Sequence, residues 1–163
     1  MKNIKWSKYL WLLFVIFACK SEQLQLLKPF FDDSLRIITS HNDKPFILLL
    51  WSLDCPPCYE ELETIGKSDQ SQVDYVIIST DDISRVKEAQ KVLTDFNVLS
   101  NDLWIFSTES KERLRYSIDP QWRGELPRSY LFKNHLQEDF HSGTLTKKKL
   151  KSWIRKSNNI VIP

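Results

Sequence analysis

The chain has 163 residues, of which 42% are hydrophobic and 27% charged, and its 23 basic residues stand against 21 acidic ones. These values fit one globular domain, and three glycines are too few for a collagen-like or Gly/Ser-rich linker protein. Residues 1–18 hold three lysines and no acid, so the remainder has 20 basic and 21 acidic residues. Such a balanced remainder gives no support to a nucleic-acid partner, which requires a clustered basic surface.

The first 18 residues have the pattern of a targeting segment. Lys2, Lys5 and Lys8 precede an unbroken apolar run over residues 9–18. The run is shorter than the roughly 20 residues of a membrane span, and it matches the core of a signal peptide behind a basic stretch. A short uncleaved membrane anchor is the alternative. Both interpretations predict that the rest of the chain is exported.

A lipid attachment site is indicated at the end of this segment. Ile16, Phe17, Ala18 and Cys19 resemble a bacterial lipobox, in which the signal peptide is cut before a cysteine that receives a lipid. Phe17 departs from the pattern, because a small residue is usual there. Polar residues follow at once, so residues 19–29 are expected to form a tether. In an uncleaved anchor, Cys19 would be only an apolar residue.

The exported part alternates helical patterns with buried-strand patterns. Helices are predicted over residues 30–39, 59–65, 83–96, 109–118 and 145–154, and strands over 46–51, 73–79, 103–106, 128–132 and 137–141. Phe46–Trp51 is a continuous apolar run, typical of a strand covered on both faces. Gly66 stands where a C-terminal helix cap is expected, and Thr80, Asp81 and Asp82 form an N-cap cluster. This order predicts an α/β sandwich with helices on both faces of a mixed sheet.

Cys55-Pro56-Pro57-Cys58 follows the buried strand and opens a helix. Two intervening residues place both sulfurs on the first helical turn, where the free N–H groups and partial positive charge favour a thiolate. The thiolate is the nucleophile in disulfide exchange. Pro56 suits the first helical position, because an N–H there has no partner. Cys55 is therefore predicted to be the exposed attacking sulfur, and Cys58 the deeper, resolving one.

Two other interpretations of the cysteine pair remain open. A zinc site needs two further ligands, and His41, His135 and His141 lie far away in sequence and outside any ligand motif. A purely structural disulfide would close so short a loop that it stabilises the fold little. Redox chemistry is the favoured role for an exported pair between a strand and a helix. It needs no cofactor beyond the cysteines, and no metal site is predicted.

A wider pattern surrounds the pair. With Trp51 to Asp54 before the cysteines, Glu61 after them and Gly124-Glu125-Leu126-Pro127 before a strand, the sequence resembles the thioredoxin superfamily. It is most similar to the membrane-tethered TlpA/DsbE-like thiol–disulfide oxidoreductases of bacteria. The resemblance implies a thioredoxin-like domain over residues 30–163. It also implies that the helix after Asp81 and the strand 103–106 form the central βα insertion of that branch.

The resemblance implies further site residues. Pro127 matches a cis-proline beside the cysteines, and Leu126 before it would offer its backbone to a substrate peptide. Glu61 matches an acid associated with proton transfer to and from the cysteines; the alternative is that it only complements the helix N-terminus, as its neighbour Glu60 does. Trp51 is expected in the core and in the wall of the substrate site.

Asp54 stands where the family usually has tryptophan. Its negative charge is expected to raise the pKa of the adjacent Cys55 thiol. The couple would then be comparatively reducing, nearer to the roughly −270 mV of thioredoxin than to the roughly −120 mV of DsbA. The helix N-terminus acts in the opposite direction, and a carboxylate that points into solvent would be screened.

These features predict an exported, membrane-tethered enzyme of the bacterial periplasm that exchanges thiols and disulfides with protein substrates, acting as a reductant. Its partners would be proteins with cysteines or disulfides, and an electron donor in the membrane or in a partner protein. The alternatives are a metal-binding protein like a copper chaperone and a non-catalytic thioredoxin-like protein. A copper chaperone would space its cysteines by three residues and add a distal histidine, and neither feature is evident.

Overall fold

The computed structural model describes residues 27–98, 100 and 102–158 of the chain. Helices and strands alternate along this part, as the sequence predicts. In chain order they are β1 (Lys28–Phe30), α1 (Ser34–His41), β2 (Phe46–Trp51), α2 (Pro56–Gly66), β3 (Asp74–Asp82), α3 (Val86–Asp95), β4 (Asp102–Phe106), α4 (Lys111–Ile118), β5 (Arg128–Lys133), β6 (Leu136–Ser142) and α5 (Lys147–Asn158). Short 3₁₀ turns at Gln70–Gln72 and Ile83–Arg85 precede β3 and α3 respectively.

The strands form one mixed sheet in the order β1-β4-β3-β2-β5-β6. The four strands β1, β4, β3 and β2 are mutually parallel, and β5 and β6 run antiparallel to their neighbours. A parallel pair needs a crossover connection, and α3 supplies it between β3 and β4. The predicted mixed sheet is therefore confirmed, and β5 and β6 close it as an antiparallel hairpin.

Strand β2 lies near the middle of the sheet, and its six side chains are all buried. Successive side chains point to opposite faces. Ile47, Leu49 and Trp51 pack with residues of α2, α3 and α5, whereas the alternate side chains pack with residues of α1 and α4. Helices on both faces explain why this strand is apolar throughout.

The folded part begins earlier than the sequence predicts. Residues 28–30 fall in the predicted tether and helix, but the structure places them in β1, paired in parallel with Trp104–Phe106. Leu27 and Phe30 are buried in the core. A strand of three residues is too short to show the alternation of buried and exposed side chains that predicts a strand. Phe30 belongs to the core. The tether prediction is therefore wrong for these residues, and the first helix begins at Ser34.

Gly66 does not cap α2 in the way the sequence suggests. It is the last residue of the helix, and the cap position is Lys67, whose N–H donates to the Glu63 carbonyl. A Cβ at Gly66 would lie 1.8 Å from the carbonyl oxygen of Phe96, which follows α3. Glycine is required here by a close approach of two backbones.

The alanine variant at Gly66 tests this contact. A methyl group there would force α2 or the turn after α3 to move, so Gly66→Ala should lower the free energy of unfolding by about 1–3 kcal/mol. The change occurs although alanine has the higher helix propensity, by about 1 kcal/mol. Urea unfolding of the oxidised protein measures it, with the exposed Glu63→Ala as the control. A Gly66→Ala protein as stable as wild type would contradict the assignment.

Candidate active site

The two cysteines lie at the start of α2, immediately beyond the central strand. Cys55 occupies the N-cap position, Pro56 begins the helix, and a disulfide joins Cys55 to Cys58. The Cys58 N–H donates to the Cys55 carbonyl at 2.9 Å. Cys55 keeps 8% of its surface exposed, while Cys58 is 0% exposed. The predicted position of the pair is confirmed, and only Cys55 offers surface to a partner.

A buried carboxylate anchors the loop between β2 and the cysteines. Asp81, at the end of β3, is 4% exposed. It accepts hydrogen bonds from the Leu53 N–H at 2.9 Å and from the Ser52 hydroxyl at 3.0 Å. The Ser79 hydroxyl adds a third at 2.7 Å. These hydrogen bonds offset the cost of burying the carboxylate. They hold the loop that leads from β2 to Cys55 against the end of the neighbouring strand β3.

Asp81 was predicted as part of an N-cap cluster, and the structure divides that cluster. Asp82 is the residue that caps, because its carboxylate accepts from the Ser84 N–H at 2.9 Å. Asp81 points into the protein instead. The sequence alone does not distinguish the two, since the partners of Asp81 at Ser52 and Leu53 lie far away along the chain.

Asp54 is paired with a cation. Its side chain is 78% exposed, and its Oδ2 lies 2.8 Å from Nη1 of Arg85. The same Nη1 lies 3.2 Å from Oδ1 of Asp81, and Glu88 binds the Nε and Nη2 atoms. The hydrogen bonds that Arg85 donates to Glu88 and Asp54 raise the pKa of Arg85 further above its usual value. The charge predicted to act on Cys55 is therefore accompanied by an opposite charge.

Glu61 is buried in α2, three residues after Cys58. It is 1% exposed, and it accepts a hydrogen bond from the Ser129 hydroxyl at 2.7 Å and one from the Leu145 N–H at 3.4 Å. Burial raises the pKa of Glu61 from 4.5 to about 7, against the effect of both hydrogen bonds. No cation bonds it among the described residues. An acid in this state exchanges a proton near neutral pH.

The peptide bond between Leu126 and Pro127 is cis, as the family resemblance implies. Arg128 pairs with Leu50 in the sheet, so Pro127 lies at the end of β2 that leads to the cysteines. The segment after β6 links the two: the Gly143 N–H donates to the Pro127 carbonyl at 2.8 Å, and the Thr144 hydroxyl donates to the Pro57 carbonyl at 3.3 Å. The cis-proline and the start of α2 are thus held side by side.

Trp51 does not form a wall of this site. Its side chain is fully buried in the core between the sheet and α2. The expected place in the core is correct, but the side chain offers no surface for a substrate to contact. Trp51 is therefore not a residue that a substrate can contact.

A buried arginine holds the loop that carries the cis-proline. Arg128 is 5% exposed and bonds Asp119 and Glu125, each at 3.1 Å, and also Ser142. Its guanidinium lies 4.1 Å from the centre of the Phe140 ring. These contacts tie the segment before Leu126 to β5 and β6. The sequence did not indicate them, because an arginine at the start of a strand is usually exposed.

Comparison with known proteins adds to this geometry. No protein-family model and no curated protein matches the chain. A secreted disulfide oxidoreductase of Mycobacterium tuberculosis, homologous to Escherichia coli DsbE, has a similar solved structure: the TM-score is 0.53 at 15% identity, over 72% of this chain and 84% of that one. A thiol:disulfide interchange protein from Chlorobium tepidum has a TM-score of 0.56 at 14% identity, over 80% and 86%. A DsbF homologue from Corynebacterium diphtheriae has a TM-score of 0.55 at 16% identity, over 73% and 75%.

The chain has a thioredoxin-like fold. The helix and strand of the predicted central insertion are α3 and β4, which follow β3 in the chain. The structural similarity at these low identities shows the fold alone, and the chemistry depends on the residues at the site.

Some predictions concern residues outside the part of the chain that the structure describes. The targeting segment over residues 1–18 and the lipid site at Cys19 are among them. Within residues 27–98, 100 and 102–158, no helix is long and apolar enough to cross a membrane. The same residues bring together no group of three or more His, Cys, Asp or Glu side chains that could hold a metal ion.

The raised pKa of Glu61 has a consequence for stability. Between 4.5, its ordinary value, and about 7, the folded protein keeps a proton that the unfolded chain releases. The Glu61 contribution to the free energy of unfolding should therefore fall as pH rises through this range and stay low above it, by at most about 3 kcal/mol. Glu61→Gln should remove this fall.

Urea unfolding of the oxidised protein between pH 4.5 and 8 measures the effect. The exposed Glu63→Gln, on the same helix, should keep the wild-type pH dependence. Identical pH dependence in wild type and Glu61→Gln would show that Glu61 does not hold the proton.

Proposed function

We propose that the chain is a thiol–disulfide oxidoreductase that acts on the cysteines and disulfides of protein substrates. The observation that carries this proposal is the Cys55–Cys58 disulfide on the first turn of α2, beside the cis Leu126–Pro127 bond. The similar solved structures include proteins described as a disulfide oxidoreductase and a thiol:disulfide interchange protein. The fold alone does not decide activity, so the residues at the site carry the proposal.

The unequal exposure of the two sulfurs supports separate roles. In the reduced protein, the Cys55 thiolate attacks one sulfur of a substrate disulfide, forming a mixed disulfide and releasing the other substrate sulfur as a thiolate. The Cys58 thiolate then attacks the Cys55 sulfur, which releases the second substrate thiol and closes the enzyme disulfide. Two electrons pass to the substrate in this cycle, and a dithiol donor protein must return them. The reverse sequence oxidises a substrate dithiol.

Glu61 is the proton carrier in this proposal. Cys58 is fully buried, so its proton has no direct route to water. A carboxylate one helical turn away, with a pKa of about 7, accepts that proton as the Cys58 thiolate forms and returns it on reduction. The exposed Glu60 on the same helix lacks the burial that this role needs.

Leu126 and Pro127 supply the substrate-binding part of the proposal. Among the described residues, the backbone N–H and carbonyl of Leu126 make no hydrogen bond. They are therefore available to an extended substrate peptide, which would pair with them as an added strand segment. The side chain of Leu126 is half-buried, whereas Pro127 is buried.

The cellular setting extends the proposal. The basic and apolar pattern of residues 1–18 supports export, and Cys19 supports lipid attachment to a membrane. Because Leu27 is buried in the core and the sheet begins at Lys28, the proposed tether would end before Leu27. In this setting, a bacterial periplasm, the protein would act as a reductant, supplied with electrons by a donor in the membrane or in a partner protein.

The cysteine roles are tested by trapping. Cys55→Ser should abolish both reduction of insulin disulfides and capture of mixed disulfides, because it removes the attacking sulfur. Cys58→Ala should also abolish turnover but accumulate mixed disulfides, because nothing resolves them. Gel analysis under non-reducing conditions measures the capture, and the wild-type protein is the control. Equal trapping by the two variants would reject the assigned roles, and stoichiometric metal in the reduced wild-type protein would favour the metal-binding alternative.

The tether has its own test. If Cys19 receives a lipid, the mature chain begins at Cys19, and Cys19→Ala should block both lipid labelling and signal cleavage. Mass spectrometry of the membrane-bound protein identifies the first residue. An intact N-terminus at Met1 on the wild-type protein would show an uncleaved anchor instead.

A further inference from the structure

The guanidinium group of Arg85 is bonded to three carboxylates, one of which belongs to Asp54, the residue directly before Cys55. Nη1 lies 2.8 Å from Asp54 and 3.2 Å from Asp81, and Nε and Nη2 each lie 3.1 Å from Glu88. Arg85 ends the 3₁₀ turn that leads into α3, 31 residues from Asp54 in sequence. It is thus a contact between the βα insertion and the loop that carries the cysteines.

This contact reaches the backbone of Cys55 by a short path. Arg85 bonds the Asp81 carboxylate, which accepts from the Ser52 hydroxyl. Ser52 in turn accepts from the Asp54 N–H at its hydroxyl oxygen and from the Cys55 N–H at its carbonyl. The residue before Cys55 is therefore held twice, through its backbone by Ser52 and through its side chain by Arg85.

The charged groups near Asp54 and Arg85 come from several elements. A cleft of about 190 Å³ lies beside Asp54 and Arg85, and Trp122 and Gly124 line it as well. The charged groups that line it are Asp54 of the loop, Asp81 and Asp82 of β3, Arg85, and Lys111 and Arg115 of α4. Glu88 of α3 lies behind Arg85, and α2 contributes the buried Glu61 and the phenol of Tyr59, which donates to the Leu53 carbonyl. Arg85 is the cation that directly contacts Asp54.

We propose that Arg85 is a positioning residue for the redox couple: its guanidinium holds the Asp54 carboxylate and offsets the negative charge that Asp54 places next to Cys55. The inference rests on the proposed thiol–disulfide function. It explains how an acid occupies the position directly before the attacking sulfur without strongly opposing thiolate formation. Asp54 and Arg85 then act on Cys55 with opposite signs.

Neutral substitutions give opposite results under this proposal. Arg85→Gln leaves the negative charges uncompensated, so the pKa of the Cys55 thiol in the reduced protein should rise by about 0.5. Asp54→Asn should lower it by a similar amount, and the double variant should return close to wild type. Thiolate absorbance in a pH titration of the reduced protein, in a Cys58→Ala background, measures each pKa.

The reduction potential provides the second measurement. At pH values well above the pKa of Cys55, a less stable thiolate disfavours the reduced protein, so Arg85→Gln should be more reducing by about a threefold change in the equilibrium constant. Below that pKa the thiol is protonated, and the difference from wild type should vanish. Equilibration with glutathione between pH 6 and 9 gives this profile. A role of Arg85 in folding alone would shift the potential by an amount that does not follow the titration of Cys55.

Three further variants separate charge from structure. Arg85→Lys keeps the charge and should keep both the pKa and the potential near wild type, although it loses part of the guanidinium contacts. Glu88→Gln, at an exposed position, should lower the pKa of Cys55, because the positive charge of Arg85 is then neutralised by one carboxylate fewer. This variant remains informative if Arg85→Gln fails to fold. Lys67→Gln removes a cation at the far end of α2 and should change neither value.

The outcomes are distinct. Unchanged pKa values in Arg85→Gln and Asp54→Asn, shifts of the same sign, or failure of Arg85→Lys to restore the wild-type pKa would each overturn the role of Arg85. Where Arg85→Gln does not fold, an unchanged pKa in both Asp54→Asn and Glu88→Gln would overturn it. Absence of insulin-disulfide reduction by the wild-type protein would instead reject the proposed function, because the pKa and potential measurements require only that the disulfide forms and reduces.

Discussion

The burial of β2 on both faces is the constraint on which the rest of the molecule depends. Six consecutive apolar side chains, Phe46–Trp51, can leave water only if helices cover both sides of the strand. Within the sheet, β3 and β5 flank this strand. The residues that follow β2 therefore leave the sheet at the carboxyl end of the strand. The cysteine pair follows after only three residues. Its place at a helix start, directly beyond the end of the central strand, is therefore a consequence of what precedes it in the chain.

Two buried carboxylates then fix that helix start from different directions. Asp81 joins the loop before Cys55 to β3 by accepting from the Leu53 N–H. Glu61 joins α2 to β5 through the Ser129 hydroxyl and to the N–H of Leu145. The two acids differ in their partners. Asp81 has the cation Arg85 beside it, whereas Glu61 has only a hydroxyl and a backbone N–H, so burial raises the pKa of Glu61 to about 7. The difference suits one acid for holding structure and the other for exchanging protons.

Local pattern was enough to predict the cysteine pair and the regular elements other than β1, and it was not enough for contacts between distant residues. The apolar run of β2 and the Cys-Pro-Pro-Cys sequence are each signals within a few neighbouring residues, and both are found where they were expected. The β1 strand has three residues and therefore no period. Asp81 bonds Leu53, which is 28 residues away in the chain, and Arg85 bonds Asp54, which is 31 residues away. Such contacts form only when the strands pair in the sheet, so a pattern within a few neighbouring residues does not predict them. The burial of Trp51 was likewise foreseen, but not that it leaves no surface at the site.

The fit of α2 against its surroundings limits how the protein can move during a redox cycle. The helix is held near its start through the Pro57 carbonyl, at its middle through Glu61, and at its end by the Gly66 backbone, which abuts the Phe96 carbonyl. A body fixed at three levels along its axis cannot slide or tilt without breaking contacts at each level. Opening and closing of the disulfide must therefore be absorbed by side-chain torsions within the first turn. The reduced and oxidised proteins should differ in local motion around Cys55, with the remainder of the backbone serving both states as one rigid frame.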